Sequence, residues 1–98
     1  MMKLIQAIVH QDDARSVVDA LIKNGFSATS SFSTGGFSGL SSVTVISGVE
    51  EEKLEIALRL LRDNVKPRKG LPRRGGKTEP IDITGAVFVT DVVRFERL

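Results

Sequence analysis

Thr34-Gly35-Gly36-Phe37 is the segment of this chain whose residue types could most readily do chemistry. Adjacent glycines carry no Cβ, so their backbone N–H groups can converge on an anion, and the phenylalanine that follows offers a flat face to a base. The same residues would also serve as a plain hairpin turn. Neither a Gly-Lys-Ser/Thr phosphate loop nor a G-x-G-x-x-G pattern accompanies them. A second candidate is basic: Lys66, Arg68, Lys69, Arg73, Arg74 and Lys77 place six positive charges between residues 66 and 77, with no acid among them. Such a run can meet the phosphates of a nucleotide or a nucleic acid, meet a partner's acidic surface, or remain a solvated loop. No aromatic residue is interleaved within it and the chain has no Trp or Tyr, so base stacking in the manner of single-strand binders is poorly supported.

Other chemistries find little to work with. His10 is the only histidine and there is no cysteine, so the usual zinc sets, a thiolate nucleophile and disulfides are excluded, and neither a metal nor a cofactor is expected. Asp12-Asp13 and Glu50-Glu51-Glu52 pair carboxylates, but they stand where helices begin, which favours capping over acid–base work. Ser30, Ser31 and Ser33 have neither a histidine nearby nor a G-x-S-x-G elbow. An acylphosphatase-like site would need an anion loop with an arginine and an asparagine to position water, and neither Arg15 nor Asn24 has that context. The chain reads as a non-enzyme.

The elements that must position these groups follow from periodicity. Lys3–His10 is a β-branched, aliphatic run of strand length. Asp12 and Asp13 are expected to cap a helix whose apolar residues Ala14, Val17, Val18, Leu21 and Ile22 recur at spacings of three and four, and Asn24-Gly25 should close it. Phe26–Thr34 and Leu40–Val49 read as two strands joined through Thr34–Gly39. Glu50–Glu52 open a second helix carrying Leu54, Ala57, Leu58 and Leu61. Asn64–Ile81 holds all three prolines and the basic run without apolar period and reads as a long flexible loop; Ile83–Val93 reads as the last strand.

The order strand, helix, strand, strand, helix, strand predicts a ferredoxin-like α+β fold, βαββαβ, with a four-stranded antiparallel sheet and two helices on one face. The two halves share a plan without sharing residues. In Lys3–His10 and in Val43–Gly48 apolar residues fall on both faces, so the face without helices is expected to be buried against other subunits.

The whole chain of 98 residues suits one domain, 1–98, with 41% hydrophobic and 27% charged residues. At this size the margin of stability is thin and oligomerisation helps. No run approaches the ~20 apolar residues of a membrane span, and Met1-Met2-Lys3-Leu4-Ile5 leads straight into the first strand pattern, so a cytoplasmic setting is expected. The net charge of +2 conceals an asymmetry: outside residues 66–77 the chain carries eight basic and twelve acidic residues, a net −4.

Taken in order, Lys3–Val9, Leu21–Thr29, Ser33-Thr34-Gly35-Gly36-Phe37, Ile46-Ser47-Gly48-Val49-Glu50 and Gly85–Val89 resemble the PII-like cyclic-di-AMP receptor family, related to the PII nitrogen regulators. That resemblance implies a non-enzymatic homotrimer that binds an adenine-type nucleotide in clefts between subunits and relays the signal to a protein partner through mobile loops. Carried over by position, Thr29, Gly36, Phe37 and Gly48 line the cleft. Phe37 would stack on a base, Gly35 and Gly36 would offer N–H groups, Thr29 and Ser42 would hydrogen-bond, and Arg68, Arg73, Arg74 or Arg97 would meet phosphate. The chain departs from the family at three positions: Ser27 replaces an arginine, Ser42 an adenine-reading asparagine and Arg97 a glutamine. The other reading is a ligand-independent module whose basic loop 66–77 docks on an acidic protein or, less in keeping with the composition, on nucleic acid.

Overall fold

The computed structural model describes residues 1–33, 42–66, 69–70, 81–82 and 85–98. Strand β1 (Met2–His10) is followed by helix α1 (Gln11–Lys23), strands β2 (Thr29–Ser33) and β3 (Ser42–Glu50), a 3-10 turn (Glu51–Lys53) and helix α2 (Leu54–Asp63). Two-residue strands β4 (Lys69–Gly70) and β5 (Ile81–Asp82) pair with each other, and β6 (Ala86–Asp91) completes the main sheet. The sheet order is β2-β3-β1-β6, all neighbours antiparallel, with α1 and α2 side by side on one face. This is the expected ferredoxin-like arrangement.

Register sorts the side chains. Ile5, Ala7 and Val9 of β1 lie opposite Ser47, Val45 and Val43 of β3, and all six are buried under the helices. From α1 come Val17 and Leu21, and from α2 Ala57 and Leu61, each at a spacing of four that keeps one stripe on the sheet. The alternate residues Leu4, Ile8 and Ile46, half-buried, and Phe88, exposed, occupy the face that carries no helix. Both faces of the central strand are therefore apolar. The helices stop short of the β6 edge, where Val87 and Val89 remain 45% and 39% exposed. A shallow apolar recess of about 170 Å³ lies there, with Val9, Leu61, Val65 and Val87 among its walls.

Local chemistry sets the element ends. Gly25, at φ +87°, closes α1 with paired bonds from Gly25 N to Ile22 O (3.0 Å) and from Phe26 N to Leu21 O (2.9 Å), the closure expected at Asn24-Gly25. Strand β2 begins at Thr29 rather than Phe26, because Phe26 and Ala28 turn into the core and the buried Ser47 hydroxyl takes the Ser27 carbonyl at 2.5 Å. The last strand begins at Ala86; Ile83 and Thr84 lie outside the described residues. Gly85, at φ +133°, brings the chain so close to β1 that a Cβ would stand 2.6 Å from the Ile8 carbonyl oxygen. Only glycine enters the sheet there. At the other end of the same ladder Lys3 hydrogen-bonds Asp91, its register partner, and reaches Glu51 at 3.3 Å, joining β1 to β6 and to the turn before α2.

Gly85→Ala is expected to lower stability by about 2–4 kcal/mol in urea unfolding, from positive-φ strain plus the clash with β1. Gly48→Ala, whose added methyl would meet only Met2 Sδ at 3.6 Å, is expected to stay within about 1 kcal/mol of the parent. The hydrogen bond from Lys3 to Asp91, opposed by desolvation and aided by Glu51, raises the Lys3 ammonium above its ordinary 10.5. The folded chain thus holds this proton more tightly than the unfolded chain does. The resulting stabilisation is complete below pH 10.5 and fades as pH climbs beyond it. Thermal melts from pH 9 to 12 should therefore show a steeper alkaline loss in the parent than in Lys3→Met; parallel curves would refute this.

Candidate functional site

The sheet has two chemically distinct ends. At the first, β1 begins, β3 closes and β6 finishes: Met2 lies opposite Glu50, Lys3 opposite Asp91, and Val92 N donates to Met2 O at 3.0 Å. At the second, His10 of β1 lies opposite Ser42, which also pairs with Ser33 of β2, and Gly85 precedes β6. The segment with Gly35, Gly36 and Phe37 runs between Ser33 and Ser42, so both its roots are at the second end. The basic run departs after Lys66, whose N–H meets Asp13 of the first turn of α1, and the chain re-enters the sheet at Gly85, again at the second end. Gly35, Gly36, Phe37, Arg68, Arg73 and Arg74 themselves lie outside the described residues.

The described candidates separate into groups. Thr29 pairs with Ile46, and Gly48 stands two residues further along β3 on the same open face, so the two are diagonal neighbours across the ladder. Thr29 is exposed, and the bare Cα of Gly48 keeps that face open apart from Met2. Ser42 is buried and six residues from Gly48, roughly 20 Å along the strand. Arg97 follows β6 beyond the first end, exposed, with its guanidinium 5.7 Å from the centre of the Phe95 ring. One subunit therefore joins Thr29 to Gly48 but does not bring Ser42 to them. The Ser27 side chain is exposed, and its carbonyl oxygen accepts from the Ser47 hydroxyl.

Two sequence readings are corrected here. Neither Asp12 nor Asp13 caps α1. The cap is His10, in extended conformation, whose Nδ1 accepts from Asp12 N at 3.0 Å. His10 is thus a half-buried structural group. Asp13 is 2% exposed, in phase with Val17 and Leu21 on the buried stripe, and accepts from Lys66 N at 3.2 Å. Its i, i+4, i+8 phase was the signal that could have revealed this. Residues 64–81 are not loop throughout, since β4 and β5 pair near their two ends with Lys69 opposite Asp82.

Among the described residues no cluster of His, Cys, Asp or Glu is placed to hold a metal ion, and no helix is long and apolar enough to cross a membrane. The architecture is the ferredoxin-like α+β fold of the PII-like family, with one face of the sheet under helices; in this chain the roots of the glycine-rich and basic segments lie at one end of it. The chain belongs to the cyclic-di-AMP receptor family, whose model matches residues 2–98. It is also similar in structure to a functionally unknown protein from Pediococcus pentosaceus ATCC 25745, at 28% identity and a TM-score of 0.76, over 99% of this chain and 97% of that one.

Replacing His10 with Ala should cost about 1 kcal/mol through loss of the α1 cap, and His10→Asn, which keeps an acceptor, should recover most of it. Equal midpoints for the two variants in urea would contradict the assignment.

Proposed function

We propose that this protein is a non-enzymatic nucleotide sensor: a homotrimer, one domain over residues 1–98, that takes cyclic-di-AMP or a related adenine nucleotide between subunits and reports it to a partner protein in the cytoplasm. The observation that carries this reading is the match to the cyclic-di-AMP receptor family across residues 2–98, joined to a sheet whose glycine-rich and basic segments are rooted at the same end. Phe37 stacks on the base, Gly35 and Gly36 offer N–H groups, and Arg68, Arg73, Arg74 or Arg97 meets the phosphates. Thr29, Ser42 and Gly48 supply the remaining contacts. The separation of Ser42 from Thr29 and Gly48 on one sheet favours a ligand that draws on more than one subunit. The half-buried Leu4, Ile8 and Ile46 and the exposed Phe88 give the trimer an apolar face to bury.

Calorimetry with cyclic-di-AMP, ATP, ADP and AMP tests the reading, and silence from all four overturns it. Phe37→Ala should weaken the bound nucleotide by about 5- to 100-fold, the range of one lost base stack. Phe88→Glu should convert the trimer into monomer in sedimentation velocity. If Phe37→Ala binds normally while Arg73→Ala/Arg74→Ala abolishes a salt-sensitive complex with acidic protein or nucleic acid, the basic run acts as an interaction module instead.

A further inference from the structure

We infer that Asp13 is a positioning residue for the basic segment: its buried carboxylate fixes the root of that segment at Lys66 and so supports ligand affinity without touching the ligand. The ligand half of this inference rests on the proposed function; the anchoring half does not.

A carboxylate in the apolar stripe of an amphipathic helix is costly unless it is hydrogen-bonded. Asp13 stands in that stripe with Val17 and Leu21, is 2% exposed, and lies at the start of α1. Its Oδ2 accepts from Lys66 N at 3.2 Å, a contact that spans 53 residues of sequence. The residues just before Lys66 are held as well. The Asn64 side chain donates to Leu60 O at 2.8 Å and its backbone N–H to Leu61 O at 3.2 Å, while Val65 packs on the core. Root and ladder are only three residues apart, because Lys69 already pairs with Asp82 and Gly70 with Ile81. Arg73, Arg74 and Lys77 lie in sequence between those paired strands. A fastened root thus restricts the start of the segment that leads into the ladder, and ordering a segment beforehand lowers the entropy lost when it meets a ligand. Asp13 acts from a helix start that caps elsewhere, since His10 already fills the capping role.

The experiment pairs limited trypsinolysis with calorimetry on the full chain. Asp13→Leu removes the acceptor, and Asp13→Asn keeps one. From the other side, Lys66→Pro removes the donor, and Lys66→Gln removes the charge but keeps the N–H. Asp13→Leu and Lys66→Pro should speed cleavage after Arg68, Lys69, Arg73, Arg74 and Lys77 relative to Asp13→Asn and Lys66→Gln, with cleavage after Arg59 and Arg62 of α2 unchanged. Cyclic-di-AMP should bind about 5- to 50-fold more weakly to the first pair than to the second, the usual range for indirect coupling. Equal cleavage in the two pairs overturns the anchor, and equal affinity overturns its support of ligand binding. If Asp13→Leu fails to fold, the Lys66 pair decides. If the parent binds no nucleotide, the proposed function falls, and the trypsin comparison still decides whether Asp13 anchors the segment.

Discussion

The pairing register of β1 governs this molecule. All nine of its residues are matched to β3 and six of them to β6, so one strand carries the ladder on both sides. Because side chains alternate, that register places Ile5, Ala7 and Val9 under the helices and Leu4 and Ile8 on the open face. A slip by one residue would exchange the two sets. The helices cover only one of them, so the surface that remains is apolar by construction. The register also brings the roots of the glycine-rich and basic segments to the His10 end.

Two devices hold this register at opposite ends of the β1–β6 ladder. Lys3 secures Asp91 and Glu51 at one, and Gly85 allows a backbone approach at the other that no side chain would permit. They differ in physical character. The first is an exposed ionic contact that water and salt weaken. The second is steric exclusion, which neither affects. Polar groups inside the core follow the same economy: Ser47 ties down the chain before β2, and Asp13 ties down the chain after α2.

How far the residues announced all this depends on the range of the interaction involved. The helices were legible because Val17 and Leu21, and Ala57 and Leu61, repeat at helical spacing. The closure at Asn24-Gly25 was legible because a left-handed residue is needed within one turn. Strand order followed from the succession of elements. The start of β2 was misjudged, since the pull on Phe26 and Ser27 comes from the core and from Ser47, 20 residues away. The cap was misjudged because Asp is the commoner cap and nothing local shows that a strand ends on a histidine facing the helix start. Asp13 was assigned to that cap although its phase with Val17 pointed inward. As for the candidate site, only Thr29, Ser42, Gly48 and Arg97 fall on described residues, and the closeness of Thr29 to Gly48 and the distance of both from Ser42 could not be seen before the register was known.

What the residues alone determined is whatever depends on neighbours within a turn or two: helix and strand character, the alternation that makes both faces of β1 apolar, and the concentration of six cations against a net acidic remainder. Family likeness belongs here too, because it is written in short motifs. The tertiary structure alone decided the long-range matters: which end of the sheet roots the glycine-rich and basic segments, why position 85 must be glycine, and which of two adjacent aspartates is buried. Each of these turns on atoms brought together from distant parts of the chain, where packing and hydrogen bonding exist only once the sheet has closed.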